Sequence, residues 1–215
     1  MPLKNEKKWY NSYYNNFSRY SRLKNYWNLI HLKKLGFFSE VSLDSIIVDI
    51  GCGNSNMLNT LYKKGYRKLY GFDVKIPETV VDSFSVIKGS MLEMPYKNGF
   101  ADVLICFNVM HHLLDYSQYS LFLKNCERVL KKNGRLFLVE PQKNLFRKLQ
   151  DILIKLPLIS EIGPIKWQKT ANQEEKEELK IFLEANIKEI FKTTGFKIIT
   201  YRSFLKSFVM YCRLD

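Results

Sequence analysis

Short apolar runs alternate with amphipathic stretches between residues 45 and 140, and this alternation sets the expected fold. The runs are rich in β-branched residues and have the length of strands. The fourth run is almost entirely apolar, as expected for a strand buried on both faces of a parallel sheet. The five predicted strands are Ser45–Ile50, Lys68–Val74, Phe84–Lys88, Ala101–Val109 and Arg135–Glu140.

The stretches between these runs carry apolar residues at helical spacing. They predict helices over Asn56–Lys64 and Tyr116–Lys132, and we expect Gly134 to form a left-handed cap after the second helix. Further along, a long apolar stripe predicts a single helix that begins at its cap residue Asn172 and ends at Gly195.

The chain closes with two β-rich runs, Phe196–Phe204 and Ser207–Arg213, which predict an antiparallel hairpin. Strands that alternate with helices indicate an α/β fold with a doubly wound, mostly parallel, Rossmann-like sheet. In such a sheet, ligands bind beyond the carboxyl ends of the strands. At 215 residues, we expect one domain over residues 1–215.

Two segments lie outside this rhythm. Residues 1–40 are aromatic and basic, which fits a helix docked on the sheet or, in addition, a helical lid over the substrate. Residues 142–172 predict a helical insertion over the active site, although a basic amphipathic helix also suits an anionic membrane surface. The candidate substrate contacts of the lid are Tyr13, Tyr14, Tyr20 and Arg22.

The net charge of +13, from 34 Lys and Arg against 21 Asp and Glu, permits an anionic partner such as RNA, a membrane surface or a phosphorylated substrate. Lysines spread over the whole surface would explain the same charge. The four cysteines are far apart in the sequence, so we expect free thiols in a reducing compartment and no metal site. No apolar run is long enough to cross a bilayer, and we expect a cytoplasmic protein without a transmembrane segment.

The most informative stretch follows the first predicted strand and reads Asp49-Ile50-Gly51-Cys52-Gly53-Asn54-Ser55. Two glycines at a strand-to-helix turn let the backbone approach a ligand closely. About twenty residues later, Asp73 ends the second strand, where a carboxylate can accept hydrogen bonds from the hydroxyls of a ribose. The stretch lacks the third glycine of a dinucleotide fingerprint, because Asn56 stands at that position.

This motif, with an acidic residue two before the first glycine, resembles that of the class I S-adenosylmethionine-dependent methyltransferases. Four further segments resemble motifs of this family and occur in the same order along the chain. These segments are Lys88–Tyr96, Phe100–Leu104, Asn108–Leu113 and Glu127–Gly134, the last of which is similar to the family's RVLKPGG turn. Within the family, the chain resembles the small-molecule branch that includes the quinone methyltransferases. The resemblance implies a seven-stranded sheet with the antiparallel hairpin at its C-terminal end.

The resemblance also implies roles for single residues. Asp49 and the glycine loop would face the methionine part of the cofactor, and Asp73 the ribose. Ser90, where the family usually has aspartate, and the Met91 backbone would contact adenine, and Asn108 would close the site. The implied cofactor contacts are Asp49, Gly51, Cys52, Gly53, Asp73, Val74, Ser90, Met91 and Asn108.

Methyl transfer to a hydroxyl group also requires a base that removes its proton. His111 and His112 follow the fourth strand, near the expected methyl position, and are the candidate bases. These histidines equally fit the start of a helix. Glu140, which ends the fifth strand, is a candidate substrate contact.

Three functions agree with these features. The chain is expected to be a methyltransferase for a small, hydrophobic or ring-containing metabolite. The alternatives are a tRNA or other RNA methyltransferase, which the positive charge favours, and a non-catalytic protein that binds S-adenosylmethionine.

Overall fold

The computed structural model describes residues 26–75, 83–142, 180–183, 185–204 and 207–215, and these form a seven-stranded α/β sheet. The expected fold class is confirmed. The sheet order is β3-β2-β1-β4-β5-β7-β6. The strands are β1 (Ile47–Ile50), β2 (Leu69–Asp73), β3 (Ser85–Lys88), β4 (Ala101–Phe107), β5 (Leu130–Pro141), β6 (Phe196–Phe204) and β7 (Ser207–Leu214).

Strands β1 to β5 are parallel, and β7 runs antiparallel to both of its neighbours. From β1 the chain proceeds outward through β2 to β3, then returns to pair β4 with the other side of β1. The order therefore reverses between β1 and β4. In open α/β sheets, this reversal opens a crevice for ligands at the carboxyl ends of the strands.

Helices cover both faces of the sheet. Residues 26–34 belong to helix α1, and a 3₁₀ turn spans Met110–His112. A helix also includes residues 180–183. The other helices are α2 (Phe37–Glu40), α3 (Asn56–Lys63), α4 (Tyr116–Val129) and α5 (Ile187–Phe191).

Each face of the sheet has its own apolar core. On one face, three phenylalanines are almost completely buried: Phe122 of α4, Phe191 of α5, and Phe182 in the helical residues 180–183. On the other face, the ring of Phe137 stacks on Tyr211 with centroids 4.7 Å apart. Because side chains alternate across a strand, neighbouring residues of β5 supply both cores.

The predicted end of α4 at Lys132, capped by Gly134, is wrong. The helix ends at Val129, and the left-handed residue is Asn133, with φ of 61°. Leu130 is extended, buried to 3% exposure and paired with Ala101 of β4. Burial of this leucine against the sheet brings the chain into β5 before the glycine is reached.

The predicted single helix from Asn172 to Gly195 is also wrong within the described residues, since helical residues 180–183 are followed by a break at Asn186. Phe182 and Phe191 are both buried in the same core. In an unbroken helix, nine residues would turn these side chains about 180° apart. The break lets both rings reach the sheet.

Two predictions lie outside the described residues: the lid up to residue 25 and the insertion after Gln142. No helix among the described residues is long and apolar enough to span a membrane.

Candidate functional site

The loop after β1 contains three left-handed residues: Gly51 with φ of 65°, Gly53 with φ of 51° and Ser55 with φ of 57°. A Cβ atom on Gly51 would lie 2.5 Å from a methyl group of Val109, whereas one on Gly53 would meet nothing within 4 Å. Gly51 is therefore required for packing inside the protein. Gly53 borders open space, where a ligand can approach the backbone.

Ser55 stands where the resembled family has its last glycine. It adopts the left-handed conformation of that glycine, which costs a non-glycine residue about 1–2 kcal/mol. Its side chain does not cap α3, and its buried hydroxyl has the weakly polar Cys52 thiol beside it. A ligand with a polar group would give this hydroxyl a stronger partner.

Asp73 connects the end of β2 to the glycine loop. Its carboxylate accepts hydrogen bonds from the backbone N–H of Gly53 at 2.9 Å and of Lys75 at 3.1 Å. Burial raises the pKa of Asp73, while the backbone N–H groups of Lys75, Gly53 and Val74 and the charge of His112 oppose this shift. A carboxylate has about four acceptor positions, so it can still accept a hydrogen bond from a hydroxyl of a ligand.

Asp49 lies in β1 with 5% exposure. Burial, and then the neighbouring charge of Asp73, raise its pKa to about 8. Two buried carboxyl groups that repel each other form a site that stabilises a positive charge. A cationic ligand would restore the ionised form of Asp49.

The loop after β3 lies beside Asp73, because β2 and β3 pair in parallel with Asp73 opposite Lys88. The Gly89 N–H donates to the Asp73 carbonyl oxygen at 3.0 Å, which fixes the start of this loop. Ser90 and Met91 follow and are half-buried. The structure thus brings Ser90 and Met91 to the strand end next to Asp73.

The turn after β4 forms the opposite side of the site. Asn108 has φ of 57°, and its N–H donates to Val139 at 2.8 Å. The Val109 and Met110 N–H groups donate to Oε1 of Glu140 at 2.9 and 2.8 Å. The turn that packs Val109 against Gly51 is therefore held by a carboxylate of β5.

Glu140 itself is completely buried. Its other oxygen, Oε2, lies 2.8 Å from Nδ1 of His111. One carboxylate oxygen of Glu140 thus accepts from two backbone N–H groups, and the other contacts the His111 imidazole, so both oxygens bind groups of the protein itself. The sequence-based assignment of Glu140 as a substrate contact is therefore not retained.

The two candidate bases differ in their surroundings. His111 is 4% exposed and bound to Glu140, whereas His112 is half-buried. Their rings are 4.3 Å apart, and the charge of His112 acts on Asp73. Of the two histidines, His112 is therefore the one that interacts with the acidic site.

The remaining predicted residues divide into two groups. Burial raises the pKa of the Cys52 thiol, so that it stays protonated, and Val74 is 39% exposed beside Asp73. The candidate lid contacts Tyr13, Tyr14, Tyr20 and Arg22 lie outside the described residues. Among the residues with described positions, no cluster of three His, Cys, Asp or Glu side chains is suited to a metal ion.

Sequence reasoning missed several polar side chains that hold the site together. The Tyr96 hydroxyl donates to the Gly71 carbonyl of β2 at 3.0 Å, and Asn125 of α4 donates to Leu92. Asn125 is 9% exposed. A polar residue within the apolar stripe of a helix is the local signal that could have identified it.

Comparison with known proteins agrees with this geometry. Residues 48–138 match a family model described as a methyltransferase domain. An uncharacterized protein of Methanocaldococcus jannaschii is 27% identical over 120 residues, which cover 50% of this chain and 49% of that protein. The matches span about half the length of the curated relatives.

Solved structures share the fold over most of the chain. A SAM-dependent methyltransferase of Methanosarcina mazei has 18% identity and a TM-score of 0.58, covering 82% of this chain and 95% of that one. A protein of Haloferax volcanii, in complex with the Trm112 methyltransferase activator, has 13% identity and a TM-score of 0.63, with 95% and 96% covered.

A third similar structure is the geranyl diphosphate C-methyltransferase of Streptomyces coelicolor, crystallised with S-adenosyl-L-homocysteine. It has 12% identity and a TM-score of 0.59, and the match covers 92% of this chain and 80% of that one. The domain match covers residues 48–138, and the solved structures show a common fold over most of the chain. The quinone-methyltransferase-like branch stays a prediction.

The Glu140 contacts predict a large difference between two substitutions. Glu140→Ala should lower the free energy of unfolding by about 3–5 kcal/mol, because it leaves two backbone N–H groups and His111 without their buried partner. Glu140→Gln should cost clearly less, since the amide oxygen can still accept from the turn. Urea denaturation measures both, with the exposed Asp44→Ala as a control expected within about 0.5 kcal/mol of wild type. Equal small losses for both Glu140 variants would contradict this role.

The raised pKa of Asp49 predicts a pH dependence of stability in the ligand-free protein. The folded carboxyl titrates at about 8 and the unfolded one near 3.8, so between these values the folded state binds more protons. Stability should therefore fall as pH rises, by up to about 1.4 kcal/mol per pH unit, and level off above 8. Asp49→Asn should flatten this slope in denaturation at pH 6 and pH 8. Parallel pH profiles for wild type and variant would refute the assignment.

Proposed function

We propose that this chain is an S-adenosylmethionine-dependent methyltransferase that acts on a small, hydrophobic or ring-containing metabolite. The observation that carries the proposal is the group of acidic residues and glycines at the strand ends where the order of the sheet reverses. There the Asp73 carboxylate accepts from Gly53, and Asp49 is buried beside it. The methyltransferase-domain match over residues 48–138 supports the same activity.

The residues of the crevice fit each part of the cofactor. Asp73 would accept hydrogen bonds from the ribose hydroxyls, and the open backbone at Gly53 would adjoin the methionine part. Ser90 and the Met91 N–H would contact adenine from the next strand end. Asn108 would close the site on the side of β4. The buried hydroxyl of Ser55, which has no strong hydrogen-bond partner among the described residues, supports a polar ligand at this loop.

Charge gives an independent argument for this cofactor. S-adenosylmethionine carries a sulfonium and an ammonium group, both of which favour ionised carboxylates nearby. Asp49, held largely protonated at neutral pH by burial and by Asp73, would lose its proton when such a cation binds. The anionic pyrophosphate of a dinucleotide would offer no such compensation.

The chemistry that the cofactor supplies is an electrophilic methyl group on sulfur, taken by the acceptor in an in-line displacement. The protein's share is to orient the two reactants in a site that excludes water. A hydroxyl acceptor would in addition need a base. We assign this role to His112, because it is half-buried and interacts with Asp73, whereas His111 is buried against Glu140.

The position of three of the described basic residues is one argument for a small-molecule acceptor. Arg135, Arg213 and Lys197 pair in register across β5, β7 and β6, near the amino ends of the parallel strands. This edge of the sheet is opposite the proposed site. A similar fold belongs to an enzyme that methylates geranyl diphosphate, a small apolar compound with a charged end.

An RNA acceptor is the second candidate, and the net charge of +13 favours it. The similar Haloferax volcanii protein occurs with the Trm112 methyltransferase activator, so a partner protein is a further element of this alternative.

Cofactor binding predicts a thermal shift. S-adenosylhomocysteine at a hundredfold over its Kd should add about 2.7 kcal/mol to the free energy of unfolding. For a domain of this size the melting temperature should rise by roughly 5–10 °C. Asp73→Ala should abolish the shift, whereas Asp102→Ala, which removes a carboxylate paired with Lys131, should retain it. A full shift in Asp73→Ala would show that the ribose is bound elsewhere.

Transfer of a labelled methyl group distinguishes the acceptors. The protein is incubated with labelled S-adenosylmethionine and either metabolite extract or total cellular RNA. We expect label in low-mass, apolar products and none in RNA. Label in RNA would show that RNA, and not a small metabolite, is the methyl acceptor. A normal thermal shift without any transfer in either fraction would indicate a non-catalytic cofactor-binding protein.

A further inference from the structure

We infer that Arg128 and Asn125 of α4 are positioning residues for the adenine end of the cofactor site. They hold the loop of residues 92–98, which directly follows Ser90 and Met91. The inference rests on the proposed function and deepens it. It explains how contacts from α4 to the loop of residues 92–98 would fix the positions of the residues that bind adenine.

Arg128 reaches the loop with both ends of its guanidinium group. Nη1 donates to the Tyr96 carbonyl oxygen at 2.6 Å, and Nη2 donates to the Met94 carbonyl oxygen at 2.9 Å. Nη1 also lies 3.4 Å from Oδ1 of Asn98. A planar fork of N–H donors can satisfy several carbonyl groups at fixed angles, which a lysine cannot do.

Asn125 binds the same loop at Leu92, which is nearer to the proposed cofactor site. Its Nδ2 donates to the Leu92 carbonyl oxygen at 2.9 Å, and its Oδ1 accepts from Arg128 Nη2 at 3.0 Å. The carbonyl groups of Leu92, Met94 and Tyr96 are thus bound by two side chains that also bind each other. Alternate residues of the loop face α4, as they would in a strand beside a partner.

The constraint passes from Leu92 to the residues expected to contact adenine. The Leu92 N–H donates to Ser90 Oγ at 3.2 Å, and the Glu93 N–H donates to the Ser90 carbonyl oxygen at 3.1 Å. Met91 lies between these fixed residues. The position of its N–H therefore depends on where α4 holds Leu92.

We expect the adenine base to lie on the β3 side of Asp73. Asp73, the proposed ribose contact, ends β2, and β3 is the neighbouring strand on the side away from β1. Adenine offers an acceptor at N1 and a donor at its amino group. Hypoxanthine presents a donor and an acceptor at the same places. A well-positioned Met91 N–H, which can only donate, should accordingly distinguish N1 of adenine from the N1–H of hypoxanthine.

The test compares S-adenosylhomocysteine with S-inosylhomocysteine in calorimetric titrations. Wild type should bind the adenine compound about tenfold more tightly or better, the value of roughly one hydrogen bond. Arg128→Lys should weaken the adenine compound at least about threefold and leave the inosine compound nearly unchanged, so that the ratio falls. Asn125→Asp should do the same, because it keeps the side-chain volume and the acceptor for Arg128 but removes the donor to Leu92.

Lys131→Gln is the matched control. It removes a partly exposed ion pair with Asp102 from the same region of sequence, and the ratio should stay at the wild-type value. If Arg128→Lys does not fold, Asn125→Asp carries the test alone.

Equal weakening of both compounds would overturn the inference, because a purely structural role of α4 affects both equally. Unchanged binding of both would overturn it as well. Failure of wild type to bind either compound would instead remove the proposed function on which the inference rests.

Discussion

The hydrogen bond from the Gly53 N–H to the Asp73 carboxylate joins the two strand ends on which the site depends. It orients a loop that lacks regular structure, and it opposes the rise in the pKa of Asp73 that burial causes. Burial and the neighbouring charge of Asp73 together raise the pKa of Asp49. This contact therefore connects the glycine loop to the pair of carboxyl groups that would favour a positive charge.

Two supports keep this crevice in shape from behind. On one side, Glu140 holds the turn that carries Val109, and Val109 packs against Gly51. On the other, Arg128 and Asn125 hold the loop beyond Ser90. Each support is a side chain, largely or completely buried, that binds backbone groups of a loop. Such contacts order irregular backbone that no sheet or helix stabilises.

Features with a local signal could be predicted from the sequence. The apolar runs gave the strands, and two glycines after a strand with an aspartate some twenty residues later identified the ligand site. The sequence could not indicate that Gly51 is needed for Val109, because 58 positions separate the two residues in the sequence. Glu140 at a strand end was misassigned for the same reason: its partners are a distant turn and a histidine.

Helix ends were a second source of error. A glycine near the end of an amphipathic stripe suggested the cap at Gly134, but burial of Leu130 on the sheet ended α4 earlier. In the same way, the pattern before Gly195 suggested one helix, while burial of both Phe182 and Phe191 required a break. Tertiary packing overrode local pattern in both places.

The most direct measurement is a crystal structure of the protein with S-adenosylhomocysteine. We predict density over Gly53, with the ribose hydroxyls on the Asp73 carboxylate and the base beside Ser90 and Met91. Density bound at another edge of the sheet, or a crevice that remains empty at saturating ligand, would contradict this prediction.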